Sequence, residues 1–313
     1  MEIQEVTFEE YSDLFPKPYH IFGSGSFSNL NSSKVEKTYY LLFKDNKYRL
    51  GLTGGLRNGG FFTPFSAPYG GFIFLNEDIK IFHIDDAIQT LIKWCRNQNM
   101  NLISFTLPPD IYHESFISKQ TNCLFRNGFT LKKVDLNYAF NLNKFNTNYP
   151  SNIWYNARRN LKISLSKELS FKKCELSEEK IAAYNVIKIN RKKKGFPLHM
   201  TFEDIEKTSR IIPSDFFLVY NNDAVPIASA IIFHVSPGIV QVIYWGDLPE
   251  FYQLRTMNFL SYKIFEYYKN KGLRIVDIGI STEFSEPNPG LCEFKESIGC
   301  NISNKCTFLM ELI

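Results

Sequence analysis

The 313-residue chain lacks the marks of several protein classes. It contains no run of 18 apolar residues, so no membrane-spanning helix is expected. Six cysteines are present, Cys95, Cys123, Cys174, Cys292, Cys300 and Cys306, with no C-x-x-C pair and no histidine at zinc-ligand spacing. That scarcity excludes a disulfide-stapled miniprotein, predicts reduced thiols and predicts no metal site. No P-loop and no nucleophile triad stands out. Neither charge dominates: 36 Lys and Arg face 32 Asp and Glu, and a net +4 is no basic nucleic-acid coat. The opening Met1–Glu5 is acidic and lacks the basic-then-apolar signature of a signal peptide. A cytoplasmic location is therefore expected.

What is present describes an ordinary folded protein rich in rings. Hydrophobic residues make up 44% and charged residues 22%, which excludes disorder. Aromatics reach 16%, with 29 Phe and 17 Tyr, enough for sizeable cores or apolar clefts. Single cores rarely outgrow about 250–300 residues, so two domains are expected.

The two halves read alike. Thr38–Lys44, a turn at Asp45–Lys47 and Tyr48–Thr53 predict a hairpin. Phe216–Tyr220, Asn221–Asp223 and Ala224–Phe233 predict another. Ile84–Asn97 carries Ile84, Ala87, Ile88, Leu91, Ile92 and Cys95 at helical spacing and precedes a strand at Asn101–Leu107. Its counterpart is a helix at Thr256–Asn270, stopped by Gly272, before the strand Leu273–Ile280. Gly128 and Gly299 lie 171 residues apart, as do Leu102 and Leu273, whereas the hairpin turns lie 177 apart. About six extra residues therefore fall in the first half's loop Phe62–Phe72, and the steady offset argues duplication. Between the halves, Asn141–Asn152 reads as a linker. Beyond it come a helix at Trp154–Leu165, a strand at Leu169–Cys174, a helix at Glu178–Lys194 opened by Ser177 and Glu179, and a helix at Phe202–Ile211 capped by Thr201.

Strand, two helices, antiparallel meander, helix, strand, short helix and strand, used twice, resembles the GNAT N-acyltransferase fold in tandem. Asn156–Lys162 (NARRNLK) is similar to the basic motif that opens the second domain of FemAB-type aminoacyl and peptidoglycan-bridge transferases. Val276-Asp277-Ile278-Gly279 resembles that family's Phe-Asp-Phe-Gly strand, and Phe294–Gly299 its Phe-Lys-x-x-Phe-Gly segment. Pro64–Gly71 resembles its Pro/Gly-rich cleft loop, which includes Tyr69. The resemblance implies an α/β (α+β) chain of tandem GNAT-like acyl-CoA N-acyltransferase folds, with mixed twisted sheets flanked by helices. Residues 1–145 form a degenerate, acceptor-binding domain in this reading, and 151–313 the catalytic one.

The same resemblance implies transfer of an acyl or aminoacyl group to an amine, on a small molecule, glycopeptide or cell-wall precursor. Aminoacyl-tRNA or acyl-CoA would be the co-substrate, with no tightly bound cofactor and tRNA a possible partner. Enzymes that use coenzyme A usually carry a Gly-x-Gly loop before the main helix, to cradle pyrophosphate. Gln253–Asn258 has no glycine, and Arg255 and Thr256 take that place. Two rival readings remain open: an acyl-CoA-dependent acetyltransferase of a sugar amine or small metabolite, and a non-catalytic binding module.

Acyl transfer needs an amine that loses its proton, donors for the oxyanion and exclusion of water. Lys295, from the Phe-Lys motif, is expected to neutralise developing charge. Asp277, a carboxylate in an apolar strand, accepts the amine proton or orients Lys295. Glu283 and Glu286 are rival bases on the loop Ser281–Gly290, expected to be mobile. Tyr244 is the candidate proton donor to the leaving group, and Trp245 and Phe294 shape the substrate cleft. Arg158, Arg159 and Lys162 are expected to grip phosphate or carboxylate. Ala157–Gly195 holds 12 basic and 4 acidic residues, a local +8 that leaves −4 for the remainder. Its densest run, Arg191–Lys194, either meets a tRNA backbone or serves a helix C-terminus. His234 is expected to be structural, and Gly23–Ser26 to be a turn without a following helix.

Overall fold

Both halves of the chain fold in one order of elements. The structure, a computed structural model, describes residues 1–312. The first series is β1 (Glu2–Glu5), α1 (Phe8–Leu14), α2 (Gly25–Leu30), β2 (Lys37–Lys44), β3 (Tyr48–Arg57), β4 (Gly60–Thr63), the two-residue β5 (Ile73–Phe74), α3 (Ile81–Asn97), β6 (Leu102–Thr106), α4 (Glu114–Arg126) and β7 (Thr130–Asn141). Two helices follow, α5 (Tyr149–Asn152) and α6 (Tyr155–Leu165). The second series is β8 (Ser170–Lys173), α7 (Ser177–Lys194), α8 (Phe202–Ser209), β9 (Ser214–Tyr220), β10 (Pro226–Ser236), β11 (Ile239–Asp247), α9 (Thr256–Asn270), β12 (Ile275–Ile280), a short ribbon of β13 (Thr282–Glu283) and β14 (Glu286–Pro287), α10 (Pro289–Ser297) and β15 (Asn301–Glu311).

The chain forms two units, but not the segments 1–145 and 151–313. The first unit is Met1–Leu136 with Thr282–Glu286 and the chain from Ser303 onward; the second is Asn137–Ser281 with Pro287–Ile302. Strand pairing is the physical reason. β15 runs antiparallel to β6, from Thr307↔Thr106 to Glu311↔Leu102, and completes the first unit's sheet. Residues 137–141 of β7 run antiparallel to β12 and complete the second unit's sheet. The last strand of the second half thus pairs into the unit built by the first half, and the end of the first half's last strand pairs into the unit built by the second. Hydrophobic patterning shows that a strand exists and not which edge it joins.

In the first unit the strands lie in the order β1-β2-β3-β4-β6-β15-β7. β2 and β3 form the expected hairpin, and β4 lies parallel to β6. The predicted apolar face of α3, Ile84, Ala87, Ile88, Leu91, Ile92 and Cys95, is buried against this sheet together with Phe116 and Leu124 of α4. Gly128 follows α4 at φ +86, the left-handed geometry of a helix stop. Ser24 caps a real helix: its hydroxyl accepts from the Phe27 amide at 3.1 Å, so α2 follows Gly23–Gly25 where a bare turn was expected.

The second unit orders its strands β7-β12-β11-β10-β9-β8. β9 and β10 make the second hairpin, and β11 lies parallel to β12. Phe259, Leu260, Ile264, Phe265 and Tyr268 of α9 fill its core. Leu142 and Tyr149 are buried there as well, so the Asn-rich stretch read as a linker is part of this core. Thr201 caps α8 as expected, with Asp204 completing the reciprocal pair. At α7 the Glu179 carboxylate, not Ser177, accepts the Glu175 and Leu176 amides.

Candidate active site

Parallel strands β11 and β12 pair at Ile239↔Ile275, Val240↔Val276 and Gln241↔Asp277, and there the pairing stops. Both strands run on, to Asp247 and Ile280, so they part beyond Gln241 and Asp277. The two strands therefore part, and a side chain takes up the end of β12. Lys295 of α10 donates to the carbonyl oxygens of Ile278 at 3.1 Å, Gly279 at 2.8 Å and Ile280 at 3.0 Å. An ammonium has three N–H donors, and here each meets one acceptor.

Three successive carbonyls of a regular strand point alternately to its two sides. Their convergence on one nitrogen needs a kink. β12 supplies it at Gly279, which stands at φ +73, and the register with β7 shifts between Asp277 and Gly279. Asp277 is wholly buried and is engaged on both oxygens. Its Oδ1 accepts from Asn137 Nδ2 at 2.8 Å and from the Gly279 amide at 2.9 Å, and its Oδ2 accepts from Gln241 Nε2 at 2.9 Å. Asn137 and Gln241 were missed by sequence reasoning. Each is a polar residue inside an apolar strand, the signal that drew attention to Asp277.

Lys295 is 2% exposed. Burial pushes its ammonium down to about 8, against the countervailing charges of Cys300, Asp277 and Cys292. The three carbonyls also hold the proton on, since a neutral amine would leave one of them without a donor. Beside it lies the ring of Tyr138, 5.3 Å from the nitrogen, whose hydroxyl donates to Glu296 at 2.9 Å. Burial raises the Tyr138 phenol far above its usual range.

The other candidates fall in several places. Trp245 meets Phe294 edge to face at 6.1 Å, on the α10 side of the sheet. Tyr244, its neighbour on the strand, sits under the Arg191 guanidinium of α7 at 5.3 Å. Adjacent strand residues face opposite ways, so Tyr244 does not join Lys295. Arg158, Arg159 and Lys162 are exposed on α6, and no ion pair engages them among the described residues. Exposed Trp154 and Tyr155 precede them; the Trp154 amide donates to the Ser297 carbonyl at 3.1 Å, which ties α6 to the end of α10.

Glu283 and Glu286 are exposed in the first unit. The loop expected to be mobile is pinned: Asp135 Oδ1 accepts from the Thr282 hydroxyl at 2.7 Å and the Ser285 amide at 3.2 Å. Tyr69 does not line a cleft. It is 1% exposed, packed among His20, Phe22 and Tyr112. The loop that carries it does border a shallow pocket of the first unit with Phe22, Phe27, Asn31 and Ser66. Lys34 reaches Asn31 Oδ1 at 2.8 Å and Ser66 Oγ at 3.0 Å, a cation that sequence reasoning passed over.

At the head of α9, Arg255 takes a left-handed φ of +56 and Thr256 is wholly buried. The Thr256 hydroxyl donates to the Asp247 carboxylate at 2.6 Å. An anion of the protein itself thus occupies the positive end of this helix. His234 bonds Asp215 at 2.7 Å, alongside Lys173 at 3.0 Å and Tyr268 at 2.8 Å, a structural network as expected. The six cysteines are free thiols, and no described helix is long and apolar enough to cross a membrane.

No protein-family model matches the sequence, and no curated protein matches it. Solved structures do. FemX superposes with a TM-score of 0.71 at 12% identity, over 99% of this chain and 97% of its own. The fold is a tandem GNAT fold of the FemX kind. L-PGS from Bacillus licheniformis gives 0.62 at 12% identity, over 97% and 92%. A tandem GNAT protein from the clavulanic acid biosynthesis pathway gives 0.52 at 7% identity, over 100% and 98%.

Proposed function

We propose that the protein transfers an acyl or aminoacyl group to an amine, with the second unit carrying the chemistry. The observation that supports this reading is the parting of β11 and β12 with an ammonium held on the end of β12. An acyl carbonyl brought there would meet a fixed positive charge against the build-up of negative charge on attack. Lys295 serves as that charge and not as a base, because its three hydrogens are committed to carbonyls. Asp277 is not the proton acceptor either: donors already occupy both its oxygens. The amine would lose its proton to water or to another group of the bound complex.

Aminoacyl-tRNA is the donor this reading favours. A coenzyme A pyrophosphate at the head of α9 would meet the Asp247 carboxylate and find no glycine loop. Arg158, Arg159 and Lys162 are the groups free to hold a phosphate-bearing acceptor, such as a cell-wall or cell-surface precursor. The test offers purified protein labelled aminoacyl-tRNA and, separately, labelled acyl-CoA, with amines of both glycopeptide and small-molecule kind. Transfer from aminoacyl-tRNA, lowered at least a hundredfold by Lys295→Ala, is expected. Transfer from acyl-CoA alone would overturn the choice of donor, and silence with both donors would leave a ligand-binding module.

A further inference from the structure

We infer that Asp277 is a positioning residue that acts through the Gly279 backbone to build the three-carbonyl cradle for Lys295. This deepens the reading of the second unit as the acyl-transfer site and rests on it for its chemical purpose. The geometry of the cradle itself does not depend on the reaction.

The carboxylate sits where three strands meet. Asn137 comes from β7, Gln241 from β11 and Asp277 from β12, and their side chains bond across the sheet at the last paired register of β11 and β12. Asp277 Oδ1 also takes the Gly279 amide, two residues on. That bond is an Asx turn, which folds the backbone back on its own side chain. It removes the Gly279 amide from the strand ladder and fits the left-handed φ of +73. The carbonyl of that same peptide and those of the next two then turn toward α10, where Lys295 collects all three. No substituent needs the space at Gly279, since a Cβ built there meets nothing within 4 Å. The glycine is needed for its conformation, and the carboxylate is what selects that conformation. One buried anion thus sets the place of one buried cation through the backbone that joins them.

The proposal separates from a base role by keeping the Asx bond while removing the charge. In Asp277→Asn the amide oxygen keeps Asn137 and the Gly279 amide, and Gln241, whose Oε1 has no partner among the described residues, turns that oxygen to the new NH2. Asp277→Ala removes the acceptor of the Gly279 amide altogether. Lysine reactivity reads the outcome and needs no substrate: brief acetylation with acetic anhydride, followed by mass spectrometry of Lys295 against Lys119. Lys119, bonded to the Ile79 carbonyl at 2.9 Å in the first unit, reports general loosening.

In the native protein Lys295 is expected to label far more slowly than the surface lysines. Asp277→Ala should speed it about tenfold or more relative to Lys119, by a local opening that leaves the first unit closed. Asp277→Asn, which keeps the Asx bond, should stay within about threefold of the native rate. Unchanged protection in Asp277→Ala overturns the proposal, and so does an Asp277→Asn variant as reactive as Asp277→Ala. If Asp277→Ala does not fold, Gly279→Val, which opposes the same φ, must release Lys295 in its place; protection there also overturns it. Where transfer activity is found, kcat should fall in Asp277→Ala and be largely kept in Asp277→Asn, with the KM for the donor little changed. An Asp277→Asn variant with a locked Lys295 and no turnover would make Asp277 the base. Absence of activity in every variant bears on the acyl-transfer reading and leaves the labelling result standing.

Discussion

The two units put the same secondary structure to different ends. Aligned on Gly128 and Gly299, both at left-handed φ, Leu124 of α4 stands where Lys295 stands in α10, and Thr106 of β6 stands where Asp277 stands in β12. Leu124 is wholly buried in apolar packing. In the first unit the Gly70 amide, from the loop that holds the first half's extra residues, donates to the Thr106 carbonyl at 2.8 Å. In the second, Lys295 takes the three carbonyls that follow Asp277. The buried polar groups follow suit. His20 in the first unit has no hydrogen-bond partner on either nitrogen among the described residues, and burial lowers it to about 3, so it stays neutral. Lys295 in the second has three partners and keeps its charge at pH 7. One fold can therefore store a charge or exclude it, and the local backbone decides which.

The comparison breaks most visibly if the lysine is moved. Leu124→Lys puts an ammonium into the first unit without a cradle and should cost about 4 kcal/mol, read as a drop in the urea midpoint. A loss under about 1 kcal/mol would mean that the first unit can host the charge too, and that the contrast is shallow.

A pH titration sharpens the second side. The Lys295 pKa is about 8 folded and 10.5 as the ordinary value, so between these the unfolded chain binds more protons. Its contribution to stability therefore rises with pH across that window, by at most about 3 kcal/mol. Lys295→Met lacks this titration. The stability difference between native and variant protein, from urea curves at pH 7.5 and 10, should shift in favour of the native lysine as pH rises. A flat difference would place the lysine's pKa near its ordinary value, outside a desolvating site.

Gly279→Ala is smaller and tests conformation alone. The site has room for a methyl group, so only the left-handed φ opposes it, at about 1–2 kcal/mol. Smallest of all are the α6 cations: alanine at Arg158, Arg159 and Lys162 should leave the unfolding free energy, from urea curves, within about 0.5 kcal/mol of native while weakening acceptor binding. A large loss of stability would reassign them to structure.

Much of this was legible in the residues. Helical spacing located α3 and α9, turn residues located both hairpins, and the steady offset with its six-residue excess located both the repeat and the longer loop of the first half. Asp277 was found as a carboxylate in an apolar strand, and Lys295 through the resemblance of Phe294–Gly299 to a family motif. What they bond to was not. A carboxylate in an apolar strand must be paired, but its partners come from β7 and β11, 140 and 36 positions away. Tyr69 was misplaced because a motif carries order and not burial. Tyr244 was misplaced because strand alternation gives two faces and does not say which packs on α7.

The sequence by itself determined the elements, their order, their repetition and the charge of each segment, since these depend on neighbours a few positions apart. The tertiary structure decided which strand completes which unit, where β11 and β12 part, and that a lysine takes up the carbonyls at the end of β12. Those choices depend on groups far apart in the chain that compete for the same buried donors and acceptors, and only the folded arrangement satisfies them together.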